Sequence, residues 1–219
     1  MKGIQGLLLD MDGTLLDTLE DIRDVVGPVL AERGYGPFGI HRYRRGVGRG
    51  VEALLASLLP EADAEEEVLR ELGRIVRERY RRWGNPRTRL YPGIPGLLNA
   101  AADAGLPMAV VTNKPQAAAE ECVKEFLDSW RFSAVVGAVE GRPLKPDPQG
   151  ALGAAFEMGA APGRTVMLGD SDVDILTARA AGMVSVGALW GFRDRTVLER
   201  AGADRIASDP AEAADLILS

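Results

Sequence analysis

Residues 90–219 alternate short apolar runs with stretches of helical spacing, and that alternation restricts the fold more than any other feature. MAVVTN (108–113), 134–136, TVMLGD (165–170), VSVGAL (184–189) and 205–207 are too short for helices and read as strands. Between them, 94–105, the stretch after Pro115, 148–159, 172–181 and 211–218 read as helices, with Gly105 and Gly182 placed as C-caps. Strands separated by helices predict a parallel α/β sheet with helices on both faces, because parallel neighbours need a crossover connection.

One further strand stands apart from this series. IQGLLL (4–9) is a buried-strand pattern that ends in Asp10. Between it and residue 90 the pattern is helical. Leu19, Ile22, Val25, Val26, Val29 and Leu30 share a helical stripe, in which Pro28 is expected to kink or break the helix. RRGVGRG (44–50) reads as a loop, 51–59 as a helix that stops at Pro60, and 84–93 as a Gly- and Pro-rich linker. Val68, Leu69, Leu72, Ile75, Val76, Tyr80 and Trp83 form a long amphipathic stripe. The fold expected is α/β: a doubly wound, mainly parallel, Rossmann-like sheet interrupted by an all-helical insert. The core is 1–15 plus 89–219 and the insert is 16–88, a division that 219 residues can support. The two parts also differ in charge. Residues 16–89 hold 14 basic and 13 acidic residues, and the rest hold 12 and 19.

Several classes are disfavoured. No window approaches 18 uninterrupted apolar residues, so no membrane span is expected. The acids around the first apolar run do not suit a secretory signal. The single cysteine, Cys122, permits no internal disulfide and reads as core filler in a cytoplasmic protein. A net charge of −6 argues against nucleic-acid binding. His41 is the only histidine, so sites needing several are excluded, and Ser171 reads as a helix N-cap. The chain is expected to be a monomer or homodimer.

Four polar sites follow strand-like runs: Asp10/Asp12, Thr112/Asn113, Lys145 and Asp170/Asp174. Ligands of open α/β sheets bind outside the carboxyl ends of the strands, so these sites should converge in one pocket. Three or more carboxylates in one pocket repel each other unless a cation joins them, and an all-oxygen donor set suits Mg²⁺. A lysine and a hydroxyl beside that cation would hold an anion. Phosphoryl transfer fits this set better than acyl transfer.

DMDGTLLDT (10–18), VVTN (110–113), RPLKPDP around Lys145 and GDSDVD (169–174) resemble, in order, the four signatures of the haloacid dehalogenase-like phosphatases. The helical insert resembles their C1-type cap. YPG (91–93), AAGM (180–183) and ALWG (188–191) resemble the phosphoglycolate phosphatase-like branch. The resemblance implies a Mg²⁺-dependent phosphomonoesterase acting on a small-molecule phosphate ester, most plausibly phosphoglycolate. Another small phosphorylated metabolite, or a catalytically silent binding protein, are the alternatives. It implies Asp10 as nucleophile forming an aspartyl-phosphate and Asp12 as the acid, then base. Thr112, Asn113 and Lys145 would bind phosphate. Asp10, the main-chain carbonyl of Asp12, and Asp170 would hold the metal. Asp174 would orient Lys145 or a water on the ion.

The insert should choose the substrate. HRYRRGVGRG (41–50) carries four arginines, and its VGRG stretch resembles the cap loop of phosphoglycolate phosphatases. Arg45 or Arg49 is the expected clamp for a substrate carboxylate. The arginines of 77–89 are expected on a solvated helix face. No lysine lies between Lys2 and Lys114 to match the cap lysine of phosphonatases.

Overall fold

A computed structural model, which describes residues 3–219, builds the chain around one six-stranded sheet. β1 (Gly6–Leu9) is followed by β2 (Leu16–Asp17). Next come helices α1 (Leu19–Ala31), α2 (Ile40–Gly46), α3 (Val51–Leu58) and α4 (Glu66–Arg81), then β3 (Arg89–Leu90). The chain then alternates through α5 (Ile94–Asp103), β4 (Met108–Pro115), α6 (Gln116–Phe126), β5 (Val135–Ala138), α7 (Gln149–Glu157) and β6 (Thr165–Gly169). It finishes with α8 (Asp172–Ala180), β7 (Val184–Ala188), α9 (Arg195–Ala201), β8 (Arg205–Ala207) and α10 (Pro210–Leu218). The sheet order is β5-β4-β1-β6-β7-β8 and every pairing in it is parallel.

The strands are buried on both faces, which is why they read as unbroken apolar runs. Leu7 and Leu9 of β1 pack with α5, α6 and α10, through Leu98, Cys122 and Ile217. Leu8 points the other way, into a layer with Ala154 of α7 and Ala178 of α8. This is the two-residue alternation of a strand, with one helical layer on each face. β1 lies between β4 and β6. The chain winds outward from it in both directions, and the carboxyl ends of these three strands frame a crevice.

Helices α1 to α4 enclose a cluster of their own, built on Val25, Val29, Tyr43, Leu55 and Leu72. Two residues from the sheet side, Ala118 and Phe192, join that cluster. The two connections between insert and core, the second of them inside the expected linker 84–93, pair as the antiparallel ladder β2–β3, with Leu16 opposite Leu90 and Asp17 opposite Arg89.

Three local expectations need correction. Pro28 does not end α1, which continues to Ala31. Proline removes one main-chain bond, but Val29 and Leu30 beyond it are buried at 2% and 0% exposure, and that burial offsets the loss. Residues 44–46 are the end of α2 rather than loop, because Gly46 keeps a helical conformation and the chain leaves the helix at Val47, which is extended. α9, not expected at all, starts on Asp194, whose side chain accepts from the Val197 amide. Among the described residues no helix is long and apolar enough to cross a membrane.

Candidate active site

The strand ends bring the expected residues together. Asp10 follows β1, Thr112 and Asn113 lie in β4, and Asp170 follows β6. Asp174 sits in the first turn of α8, and Lys145 arrives from the loop after β5. Carboxylate oxygens of Asp10, Asp170 and Asp174 lie within 4.8 Å of one another, and all three residues are buried. Lys145 ties the group together. Its ammonium donates to Asp10 Oδ1 at 2.6 Å, Asp174 Oδ1 at 2.6 Å and the Val111 carbonyl at 2.8 Å. Two glycines permit this packing. Gly13 has φ +93°, and a Cβ there would stand 2.8 Å from the Phe192 ring; a Cβ on Gly169 would collide with Asp174.

Three carboxylates share one lysine, so the buried cluster is formally two negative charges in excess. Burial, then the charge of Asp174, raises Asp10 well above the usual carboxylate range, against the pull of Lys145. Burial and Asp174 push Asp170 up to about 7, although the Phe192 amide opposes this. Burial disfavours the Lys145 ammonium, but Asp10 and Asp174 outweigh it and the lysine stays charged. The oxygens are not equivalent. Asp174 Oδ2 accepts from the Ser171 amide at 3.1 Å and hydroxyl at 2.6 Å, and its Oδ1 is taken by Lys145. Ser171 is thus the N-cap expected of it, in a capping box with Asp174. Asp10 Oδ2 accepts nothing from the described residues, and Asp170 Oδ1 accepts only a 3.3 Å contact from Thr14. A hard divalent cation fits this oxygen set and this charge excess, with Asp10 and Asp170 as the available side chains.

Asp12, three residues beyond the end of β1, does not join the acidic cluster. Its Oδ1 accepts from Lys114 at 3.1 Å. Thr112 Oγ1 accepts from the Lys114 amide at 3.2 Å, which leaves its own proton to donate. Asn113 differs from the expectation. Its Nδ2 donates to the carbonyls of Gly48 and Lys145, each at 2.9 Å, and its Oδ1 accepts from the Lys145 amide at 2.8 Å. That side chain is a brace for Lys145 and the 47–50 loop rather than a spare phosphate donor.

A protein-family profile, haloacid dehalogenase-like hydrolase, matches residues 4–182. The chain belongs to the haloacid dehalogenase-like hydrolases. A phosphoglycolate phosphatase of Xanthomonas campestris pv. campestris is 34% identical over 195 residues, 88% of this chain and 86% of the relative. One from Neisseria meningitidis serogroup A is 33% identical over 211 residues, 94% and 88% of the two chains. The crystal structure of a proposed phosphoglycolate phosphatase from Lactobacillus delbrueckii subsp. bulgaricus superposes with a TM-score of 0.89 at 26% identity, covering 98% of each chain.

In this haloacid dehalogenase-like hydrolase the helical insert is clasped to the sheet by reciprocal arginines. Arg44 of α2 donates to the carbonyls of Gly191 at 2.7 Å and Phe192 at 3.0 Å. Arg193 answers with bonds to the carbonyls of Arg44, Arg45 and Val47. Phe192, between them, packs into the insert's core and donates its amide to Asp170 Oδ2 at 2.6 Å. The clasp therefore ends on a carboxylate of the acidic cluster. Arg49 belongs to it as well, since its guanidinium pairs with Asp172. Replacing Arg193 by Ala removes three main-chain bonds without opening the sheet core. A roughly five- to thirtyfold fall in kcat/KM is expected, at roughly 1–2 kcal/mol for the set, with the far-ultraviolet spectrum unchanged. Wild-type kcat/KM in the variant would show that the clasp does not support the site.

A cavity of about 70 Å³ lies between the insert and the strand ends. Asp10, Asp12, Thr112 and Asn113 line it from the sheet, and Val26, Leu54, Val76 and Tyr80 from the helices. Arg45 and Arg49, the expected carboxylate clamp, do not line it. Arg49 is spent on Asp172, and Arg45 is exposed on the outer side of α2. The lining cations are Lys114 and Arg77, which the sequence reading placed in no site. Lys114 was visible as the residue directly after Thr112 and Asn113. Arg77 was hidden in an arginine-rich helix, where it alone of the five arginines of α4 lines this cavity. Cys122 is buried, and burial pushes its thiol up to about 11, in keeping with a structural residue.

Proposed function

We propose that this hydrolase is a Mg²⁺-dependent phosphomonoesterase whose substrate is phosphoglycolate. The observation that carries the reading is the buried triad Asp10, Asp170 and Asp174 around Lys145, with Asp12 beside it at the mouth of an apolar cavity. Residues 1–15 plus 89–219 act as the catalytic core and 16–88 as a cap. Asp10 attacks phosphorus through its carboxylate, and the bond to the leaving oxygen breaks as Asp12 supplies that oxygen's proton. In the second half Asp12 takes a proton from water, which attacks the aspartyl-phosphate, releases phosphate and restores Asp10. Thr112 donates to a phosphoryl oxygen, Lys145 balances charge on nucleophile and phosphate, and Asp174 and Asn113 hold Lys145 in place. Mg²⁺, held by Asp10, Asp170 and the Asp12 carbonyl, would supply positive charge against the phosphoryl oxygens.

The cavity walls favour a short leaving group. Ile22, Val26, Val51, Leu54 and Val76 offer no partner for a row of hydroxyls, so a sugar phosphate would bury unsatisfied oxygens at a cost of about 1–3 kcal/mol each. The lone buried cysteine suits a cytoplasmic site of action.

Turnover of a panel of metabolite phosphates tests the reading. Phosphoglycolate should give the highest kcat/KM, and a sugar phosphate or nucleotide at the top would replace it. Mg²⁺ should be required, and Ca²⁺ should support roughly a tenth of the rate or less, because its larger, more variable coordination loosens the in-line geometry. Full activity after exhaustive chelation would overturn the metal assignment.

A further inference from the structure

We propose that Lys114 of the core, together with Tyr80 and Arg77 of the cap, reads the anionic end of the leaving group. The inference rests on the phosphatase reading and names the residues that give it substrate selectivity.

Lys114 is a buried ammonium with work beyond packing. Its side chain is 3% exposed, and it lines the cavity. It donates to the Tyr80 hydroxyl at 2.8 Å and to Asp12 Oδ1 at 3.1 Å. An ammonium has three donors; this one also lies 4.3 Å from the centroid of the Tyr80 ring, and among the described residues no oxygen accepts its third donor. Leaving a buried donor without a partner is unfavourable, so a ligand acceptor at that position would be favoured. Tyr80 lies on α4 and Lys114 on β4, so their bond forms only when the cap stands over the core. The tyrosine hydroxyl accepts from Lys114 and keeps its own proton to donate.

Arg77 stands one turn before Tyr80 on α4, on the same cavity. Its Nη1 is held by Glu52 at 2.6 Å, which fixes the guanidinium and leaves its other donors uncommitted. These two are the cationic side chains among the residues that line the cavity; the Lys114 ammonium is buried and Arg77 is partly exposed. A charge placed beside Lys114 is weakly screened and easily told from a methyl group. The arrangement takes a carboxylate on a leaving group short enough to keep its phosphoryl group at Asp10.

Phosphoglycolate and ethyl phosphate make the test, because they differ in a carboxylate against a methyl. In wild type the ratio of their kcat/KM values should be large. Lys114→Met should raise KM for phosphoglycolate roughly ten- to hundredfold and shrink that ratio by a similar factor, as expected for one lost charge-assisted bond. Its neighbour Asp12 will be disturbed for both substrates, so the ratio decides and not either rate. Binding of 3-phosphonopropanoate, which cannot turn over, should weaken by the same factor, and binding of propylphosphonate should change by less than threefold. Tyr80→Phe removes only a hydroxyl and should shift the ratio in the same direction by three- to tenfold. It decides the matter if Lys114→Met does not fold. A wild-type ratio near one would refute the phosphoglycolate reading itself. A large wild-type ratio preserved in the variants would refute this inference alone.

Discussion

Asp10→Asn is expected to lower kcat by about 10⁴-fold or more, while the metal-free protein melts at the same temperature or higher. The first effect follows from removing the proposed nucleophile with almost no change in volume. The second follows from the acidic cluster. Asp10 faces Asp170 and Asp174 in a buried site with a single lysine, so an amide relieves repulsion and keeps a hydrogen bond from Lys145. The effect should depend on pH with a definite sign. In the unfolded chain these carboxyls lose their protons near pH 4. In the fold Asp10 is held well above that range and Asp170 titrates at about 7. Between roughly pH 4 and 7 the native state therefore binds more protons than the unfolded state, and metal-free stability falls as pH rises through that window. Asp10→Asn should flatten this fall, and Mg²⁺ should abolish it in wild type. Melting curves at pH 5, 6, 7 and 8, with and without Mg²⁺, measure all three effects. A variant that is less stable than wild type at pH 8 without metal would show that the cluster is not under charge strain.

The core was legible because its physics is local. A strand buried on both faces must be apolar at consecutive positions, so Leu7, Leu8 and Leu9 mark β1 without reference to neighbours. The acids that end such runs then have one place to go, the crevice beside β1. The helical insert was legible as helices but not as a surface. α2 spans only seven residues and carries two apolar side chains, too few for a periodic signal. Arginine content drew attention to 41–50 and 77–89, but it did not show which side chains face the cavity. Arg49 reaches away to Asp172, Arg44 grips the carbonyls of Gly191 and Phe192, and Arg77, on a helix that looks solvated, faces the cavity. Side-chain direction depends on where four helices settle against the sheet, and spacing along the chain does not encode that. The same limit hid the commitment of Asn113. Its motif suggests a phosphate donor, but the Gly48 carbonyl that occupies it comes from 65 residues away.

Lys145→Met should damage fold and activity together. The ammonium is buried and makes its bonds to two carboxylates and a carbonyl, all at 2.6–2.8 Å. Removing one partner of a buried ion pair costs about 3–5 kcal/mol, because the remaining charges keep their desolvation penalty without a counter-charge. For a domain of this size that corresponds to a melting temperature lower by roughly 6–20 °C. Turnover should fall at least about 10³-fold, since the same charge would oppose the negative phosphoryl group. Stability and catalysis can be separated with a second substitution. Asp174→Asn in the Lys145→Met background removes one of the stranded carboxylates and should recover a third to a half of the lost stability. It restores no positive charge beside Asp10, so kcat should stay at the level of the single variant. Unfolding free energies for the four proteins of this cycle, measured without metal at pH 8, give the coupling directly. Additive losses would mean that Lys145 and Asp174 do not share charge. Recovery of kcat in the double variant would mean that Lys145 acts only by holding Asp174, and its part in phosphate neutralisation would have to be given up.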